Sequence, residues 1–390
     1  MKKILFLSYD GILEPLGYSQ ILSYLIPLSK KYQIYIFSFE KRKDLKNKNY
    51  HEFIKEILLK NNISHKFFSY QKNYFKYFII LYVLIFLIFF IKINKINKIH
   101  ARSYIPALIA YVVKFFIGIK IIFDMRGFWI EERLEWKIWK KNSLLNLIFK
   151  FLEKKIINKS ESIVTLTNVA SDIIKNNYLV RGSIKPNFEV IPTASNLKKK
   201  YKKNKLIYNT NSIILTHLGS IGTRYDFDKY LRIGNILNKN YDVFYSIINK
   251  DDHAIIKEKI QNAYIKKENY NLKYVLPYEI DKSIYVSSFG VFFPVNGFYL
   301  NGYFPTKLGE FLSNGIPVIT CPINKDVDSI IRNNKIGIII DNTEMNNNNI
   351  LREIENILLI DNLSDKCRAV AEKFFNIENA IKIYQRIYNK

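Results

Sequence analysis

The chain contains few of the residues that mark disulfide-rich, metal-binding or redox proteins. Its 390 residues include only two cysteines, Cys321 and Cys367, and they form no CxxC pair. This usage predicts neither a disulfide framework nor a thiolate metal site and is typical of a reducing compartment. No GxGxxG stretch follows a predicted strand, which disfavours a dinucleotide-dependent oxidoreductase. We therefore predict no metal and no redox cofactor.

Long apolar runs are also lacking. The first, Ile4–Leu7, is too short for a signal peptide, and we interpret it as a buried strand. The longest, Tyr77–Ile91, has 15 residues, and as a helix it would span only ~22 Å of a hydrocarbon layer of ~30 Å. Three interpretations stay open: a helix packed in the core, a helix lying on an anionic membrane surface beside flanking lysines, or a spanning helix.

Acidic residues are scarce relative to basic ones. Asp and Glu number 34 against 60 Lys and Arg, which gives a formal net charge of +26. Either an anionic partner or a coding bias towards Lys, Asn, Ile, Tyr and Phe could produce this excess. Because the lysines are scattered along the whole chain, we favour the bias as the main cause. No zinc-finger, RRM or KH signature is present, so nucleic acid is not predicted as a partner.

What the sequence does contain is a regular alternation of short β-branched or aromatic runs with segments of helical length. This alternation predicts α/β architecture with parallel sheets covered by helices. It restarts after a Lys- and Asn-rich stretch, so we predict a Rossmann-like lobe at 1–197, a linker at 198–211, a second Rossmann-like lobe at 212–372 and a closing helix at 373–390. The predicted strands are 3–9, 33–39, 98–103, 120–125, 162–167, 188–192, 212–219, 241–248, 272–277, 290–295, 316–320 and 336–340.

The segment with the clearest chemistry is PTKLGEFLSNGIPV, residues 305–318. Pro305 precedes a predicted helix that ends near Gly315, so Thr306 and Lys307 lie at a helix N-terminus, which favours an anion. Glu310 follows Lys307 by three residues and shares its helix face. These groups suit a nucleoside diphosphate. An ordinary surface Lys–Glu pair is the alternative that the residues alone leave open.

The same segment resembles the donor-site motif of retaining glycosyltransferases of family GT4, in the variant PTKLGE. The resemblance implies a GT-B fold with two lobes facing a cleft, a nucleotide-sugar donor and a glycan or lipid-linked acceptor. It implies that Pro305, Thr306 and Lys307 lie by the diphosphate and that Glu310 holds the ribose. Together with the basic first lobe and its apolar helix, the resemblance leads us to expect cell-surface polysaccharide assembly by a cytoplasmic enzyme, with the inner face of the plasma membrane as a site of association.

Other glycine turns match the same family. GYS at 17–19 resembles its first loop, in which Gly17 would approach the diphosphate and Ser19 would be the helix N-cap. The stretch LGSIGTR, 218–224, resembles the turn after the first strand of the second lobe. The resemblance implies donor contacts from the residues Gly219, Ser220, Gly222 and Arg224.

Two strand ends in the first lobe are candidates for binding the acceptor. HAR at 100–102 and DMRGFWIE at 124–131 each end or follow a predicted strand. We expect Arg102, Arg126, Trp129 and Glu131 to contact the acceptor, with Trp129 as a stacking platform. A structural His100 and an Asp124–Arg126 ion pair are the alternatives. The predicted catalytic set is Glu310, Lys307, Arg224 and His100.

One position departs from the family pattern. Many GT4 enzymes have a second glutamate eight residues before the first, where this chain has Gly302. We expect 296–304 to face the transferred sugar instead, partly through backbone amides. The departure favours a non-catalytic nucleotide- or carbohydrate-binding protein as one alternative. A nucleotide-sugar epimerase or hydrolase on the same fold is the other alternative that stays open.

Overall fold

The computed structural model describes residues 1–70, 75–182, 185–194, 197, 211–222, 224–250, 253–341 and 346–390. Almost all of the predicted linker, residues 198–210, lies outside these ranges. The described residues form two compact units. The first comprises Met1–Pro192, Phe298–Tyr303 and Ile377–Lys390, and the second comprises Thr193–Gly297 and Phe304–Asn376.

The first unit is built on a parallel sheet of seven strands in the order β3-β2-β1-β4-β5-β6-β7. This is the order of a doubly wound fold, in which the direction of winding reverses between β1 and β4. The strands are β1 Lys3–Ser8, β2 Gln33–Glu40, β3 Ser64–Ser69, β4 Lys98–Arg102, β5 Lys120–Asp124, β6 Ser162–Thr165 and β7 Asn187–Val190. The helices are α1 Pro15–Gly17, α2 Ser23–Ser29, α3 Arg42–Leu45, α4 Lys48–Lys60, α5 Phe75–Asn94, α6 Tyr104–Ile117, α7 Trp129–Glu135, α8 Leu144–Lys159 and α9 Asn168–Asn177.

The second unit repeats this plan with six parallel strands in the order β10-β9-β8-β11-β12-β13. Its winding reverses between β8 and β11. The strands are β8 Ser212–Leu218, β9 Asp242–Ile248, β10 Tyr270–Lys273, β11 Phe289–Val291, β12 Val318–Thr320 and β13 Gly337–Ile339. The helices are α10 Phe227–Leu237, α11 His253–Asn262, α12 Ile280–Ile284, α13 Thr306–Ser313, α14 Lys325–Asn334, α15 Asn347–Leu358 and α16 Leu363–Phe374.

These sheets confirm the prediction of two parallel, Rossmann-like units. All twelve predicted strands are present, and β3 is the strand that the sequence pattern missed. The closing helix, α17 Ile377–Asn389, begins after a break from α16 and belongs to the first unit, where it packs against α2.

Helix α5 contains the longest apolar run. Val83, Leu87 and Ile91 pack in the core of the first unit, while Phe78 and Phe89 on the opposite face are largely exposed. One face therefore packs as a core helix does. Among the described residues, no helix has the length and apolar character needed to cross a membrane.

Candidate functional site

The second unit has a polar turn at its topological switch point, directly after β8. Open α/β sheets bind ligands at such points, outside the carboxyl ends of the strands. Gly219 has a φ of +111°, a conformation that favours glycine. Its N–H donates to the carbonyl of Ile248 at 2.9 Å, and its carbonyl accepts from the Asn249 side chain at 2.6 Å. The turn is therefore fixed from the neighbouring strand β9.

Lys307 lies directly against this turn. A Cβ atom added to Gly219 would be 2.8 Å from the Lys307 Nζ and 2.7 Å from its Cε, so a larger residue there would push the end of the lysine side chain aside. The Lys307 ammonium also lies 3.3 Å from the centroid of the Tyr225 ring, a cation–π contact. Lys307 is only 6% exposed. Its ammonium group is therefore a largely buried positive charge at the end of β8.

Helix α13 delivers Lys307 to this place. The helix begins at Thr306, as predicted, with Pro305 in extended conformation at the N-cap. The first-turn amides of a helix have no partners within the helix, and the helix dipole adds positive potential there. After the helix, Gly315 has a φ of +71°, which is the left-handed end that the sequence predicted.

Glu310 lies one turn further along α13 and has an unusual ionisation. Burial raises the pKa of its carboxyl, and the nearby charge of Asp281 raises it further. The positive charge of Lys307 offsets part of this effect, so the pKa is about 7. Asp281 is itself held by the Asn314 side chain at 3.0 Å. A carboxyl of this kind changes its charge near neutral pH.

The other predicted donor residues of the second unit lie on the same turn. Gly222 also has a φ of +111°, and Arg224 is exposed, with its carbonyl accepting from Val295 N at 3.1 Å. The Ser220 carbonyl lies 3.4 Å from His217 Nε2. Burial, with a smaller contribution from Lys307, lowers the pKa of His217 to about 3, so this histidine is neutral beneath the site.

Gly17 belongs to the first unit and has a packing role in the structure. Its φ is −60°, but an added Cβ would lie 2.0 Å from the carbonyl oxygen of Ile12. The predicted N-cap at Ser19 is wrong: the helical turn begins at Pro15, with Glu14 at its N-cap, and Ser19 lies inside a π-helical turn that continues into α2. Proline has a fixed φ that suits the first turn of a helix, so the helix begins at Pro15, four residues before Ser19.

His100 and the strand-end arginines are gathered around one buried carboxylate, that of Asp124. His100 Nε2 and Arg102 Nη1 each lie 3.5 Å from Asp124 Oδ2, and Arg126 Nη1 lies 3.8 Å from Oδ1. Burial raises the pKa of Asp124, but Arg126, the His100 hydrogen bond and Arg102 outweigh it and lower the pKa to about 2. The Asp124–Arg126 pair, considered as an alternative, is thus present.

The same cluster is covered by the closing helix. His100 Nδ1 is 2.7 Å from the Tyr388 hydroxyl, and the Tyr384 hydroxyl donates to Asp124 at 3.3 Å. Burial lowers the pKa of His100, which is only 2% exposed. The structure therefore places His100 inside the unit, under α17.

Trp129 and Glu131 are tied to neighbours within the first unit. The Trp129 ring stacks on Tyr104 with centroids 5.7 Å apart, and Trp139 meets it edge-on at 5.1 Å. Glu131 pairs with the ammonium of Lys150. These contacts give both residues structural partners in place of an open platform.

Gly302 is closely surrounded. An added Cβ would be 3.0 Å from Gly127 Cα and 3.0 Å from Phe128 Cδ2. The amides of Phe298 and Tyr299, which the sequence assigned to the sugar, donate to the carboxylate of Glu135. Neither Tyr225 nor Asp281 stands in a recognisable motif, so the sequence did not predict their contacts at this site. Their importance comes from contacts that only folding creates.

Comparison with solved structures confirms the fold. A sucrose-phosphate synthase from Thermosynechococcus elongatus aligns with a TM-score of 0.75 at 10% identity, covering 100% of this chain and 98% of that one. HepE from Anabaena, in complex with UDP, aligns at 0.68 and 12% identity over 100% of both chains. A protein from Listeria monocytogenes assigned as a UDP-N-acetylglucosamine 2-epimerase aligns at 0.57 and 11% identity, over 98% and 94%. No protein-family model and no curated protein matches the chain significantly. The chain has the GT-B fold, which it shares with these three proteins.

Proposed function

We propose that the chain is a glycosyltransferase that binds a nucleoside-diphosphate sugar at the turn after β8 and the start of α13. The observation that carries this proposal is the position of Lys307, whose ammonium lies against the backbone of Gly219 at the switch point of the second sheet. HepE, which has the same fold, was crystallised with UDP. A helix N-terminus, a glycine turn and a lysine together suit a diphosphate.

In this proposal each group of the site has one task. Thr306, Lys307 and Gly219 hold the diphosphate, and Arg224 adds positive charge from the solvent side. Glu310 accepts hydrogen bonds from the ribose hydroxyls in its ionised form. As the nucleoside diphosphate leaves, negative charge develops on it, and these donors stabilise that charge without a metal ion.

The finer assignment rests on the motif. The PTKLGE resemblance favours family GT4 with retention of configuration, and a glycan or lipid-linked acceptor in cell-surface polysaccharide assembly. His100, Arg126, Trp129 and Glu131 have structural contacts of their own, so we base the proposal on the second unit.

A nucleotide-sugar epimerase or hydrolase is a second candidate, because the Listeria protein assigned as an epimerase has the same fold. Gly302, in the position of the family's second glutamate, supports a third candidate, a protein that binds without turnover. Donor consumption with and without glycan or lipid acceptors separates the three. A transferase needs the acceptor, an epimerase or hydrolase does not, and a binding protein consumes no donor.

Thermal-shift titration with nucleotides and nucleotide sugars tests the donor site. A ligand at 100 times its Kd adds about 2.7 kcal/mol to the free energy of unfolding. Because a hydrogen bond to a charged group contributes about 1.5–3 kcal/mol, Lys307→Ala and Glu310→Ala should each weaken binding at least ~tenfold. Lys325→Ala, at the exposed first turn of α14, is the matched control. Equal affinity in folded Lys307→Ala and wild-type protein would refute the site.

A further inference from the structure

Helix α8 turns an apolar stripe towards solvent. Leu144, Leu147, Ile148 and Phe151 follow the i, i+3, i+4, i+7 spacing of one helix face, and they are 72%, 60%, 44% and 61% exposed. In an amphipathic helix on the surface of a globular protein, such an apolar stripe normally faces the core and the polar side chains face the solvent.

Buried polar groups fix this orientation. Glu153, on the inner side of α8, accepts a hydrogen bond from the Tyr104 hydroxyl at 2.6 Å and another from Lys150 at 3.1 Å. The residue is only 1% exposed. Rotating α8 to bury its leucines would expel this carboxylate and leave Tyr104 without its acceptor, which the fold disfavours. The outward stripe is therefore a stable feature of the unit.

Two neighbouring helices extend the same surface. Helix α5 contacts α6, and α6 contacts α8. On α5, the residues Phe78, Leu81, Tyr82, Ile85 and Phe89 form a second stripe, each at least half exposed. On α6, Phe115 and Phe116 are 85% and 63% exposed. Exposed apolar side chains grouped on three helices that contact one another are typical of a surface that binds a partner.

The charges around this area indicate which partner. Helices α5, α6 and α8 contain one acidic residue between them, the buried Glu153. Exposed lysines border the α8 stripe on both sides: Lys137, Lys140, Lys141, Lys154 and Lys155. Lysines that surround exposed Leu and Phe side chains are typical of a helix lying in the headgroup region of an anionic bilayer. A second copy of the chain would bring like-charged rims together.

We infer that the outer face of α5, α6 and α8 lies on the surface of an anionic lipid membrane, with the α8 stripe inserted among the headgroups. This inference does not depend on the reaction that the chain catalyses. It also assigns the contact to α8 as well as to α5, whereas the sequence pattern left a membrane contact open for α5 alone.

Co-sedimentation with vesicles tests the inference. The probes are vesicles of phosphatidylcholine alone and of phosphatidylcholine mixed with phosphatidylglycerol. The apolar variant is Leu147→Asp with Phe151→Asp, and its control is Leu359→Asp, which is 80% exposed in the second unit. The charge variant is Lys140→Glu with Lys141→Glu, and its control is Lys266→Glu with Lys267→Glu, also exposed in the second unit.

The wild-type chain should bind the anionic vesicles at least ~tenfold more tightly than the neutral ones, and binding should weaken when salt is raised. Both α8 variants should lose at least ~tenfold in binding, while both controls and the circular dichroism spectra stay unchanged. The inference is overturned if wild-type protein ignores anionic vesicles or if the α8 variants bind like their controls. It is also overturned if the apolar variant converts a dimer into a monomer without changing lipid binding.

Discussion

Glu310 should make donor binding depend on pH near neutrality. Burial and Asp281 raise the pKa of its carboxyl to about 7, whereas the ionised form is the better acceptor for ribose hydroxyls. With this pKa, about 9% of the carboxyl is ionised at pH ~6 and about 91% at pH ~8. If the ionised form alone binds, affinity should rise ~tenfold over that interval.

Calorimetric titration with a nucleotide sugar measures this dependence cleanly. Each phosphate of such a donor has one ester bond and one anhydride bond, so the donor lacks the monoester ionisation near pH ~6. His217, with its pKa lowered to about 3, stays neutral throughout the interval. Asp281→Asn removes a like charge from Glu310, so it should lower the pKa of Glu310 and move the rise in affinity to lower pH.

The unliganded protein should show the opposite trend. A carboxyl whose pKa is raised by folding stabilises the native state below its unfolded pKa, and this contribution is lost as pH rises through about 7. After allowance for partial exposure, the free energy of unfolding should fall by about 1–2 kcal/mol between pH ~5 and ~8. Glu310→Gln should flatten both profiles, and an unchanged profile in this variant would refute the assignment.

Three glycine substitutions give further tests. Gly219→Ala should weaken donor binding, because its Cβ would push the end of the Lys307 side chain away from the turn. Gly222→Ala has the same φ of +111° but open space around it, so it should lower the melting temperature with a smaller effect on binding. Equal donor affinity in the two variants would contradict the steric argument. Gly302→Glu should destabilise the first unit by about 1–3 kcal/mol in urea unfolding, because its Cβ meets Gly127 and Phe128. It should bring no gain in transfer, and a variant as stable as wild type would show that the contact can relax.

The fold could be predicted from the sequence because its signals are local. Buried parallel strands appear as short apolar runs, and twelve of them were recognisable. The missed strand, β3, has the sequence SHKFFS and lies at the edge of its sheet, where it is largely accessible. An edge strand needs no continuous apolar run. Because His65 and Lys66 interrupt the apolar pattern, β3 could not be recognised as a strand from the sequence.

The site was predictable in part for the same reason. The start of α13 is encoded by neighbouring residues, so Thr306, Lys307 and Glu310 could be placed before the structure was known. The contact of Lys307 with Gly219 joins positions far apart in the sequence, as does the contact of His100 with Tyr388. A strand-end histidine has the same local pattern whether a ligand or the closing helix covers it.

The structure also changes the interpretation of the +26 charge. A coding bias acts on every segment alike, so it predicts lysines throughout the chain but no preferred place for exposed apolar side chains. About half of the large hydrophobic side chains that are exposed among the described residues lie on α5, α6 and α8. These three helices have one buried acid, whereas α14, α15 and α16 each contain acids beside their basic residues. Bias accounts for the number of lysines, and the proposed membrane-facing surface would account for the absence of acids where apolar side chains are exposed.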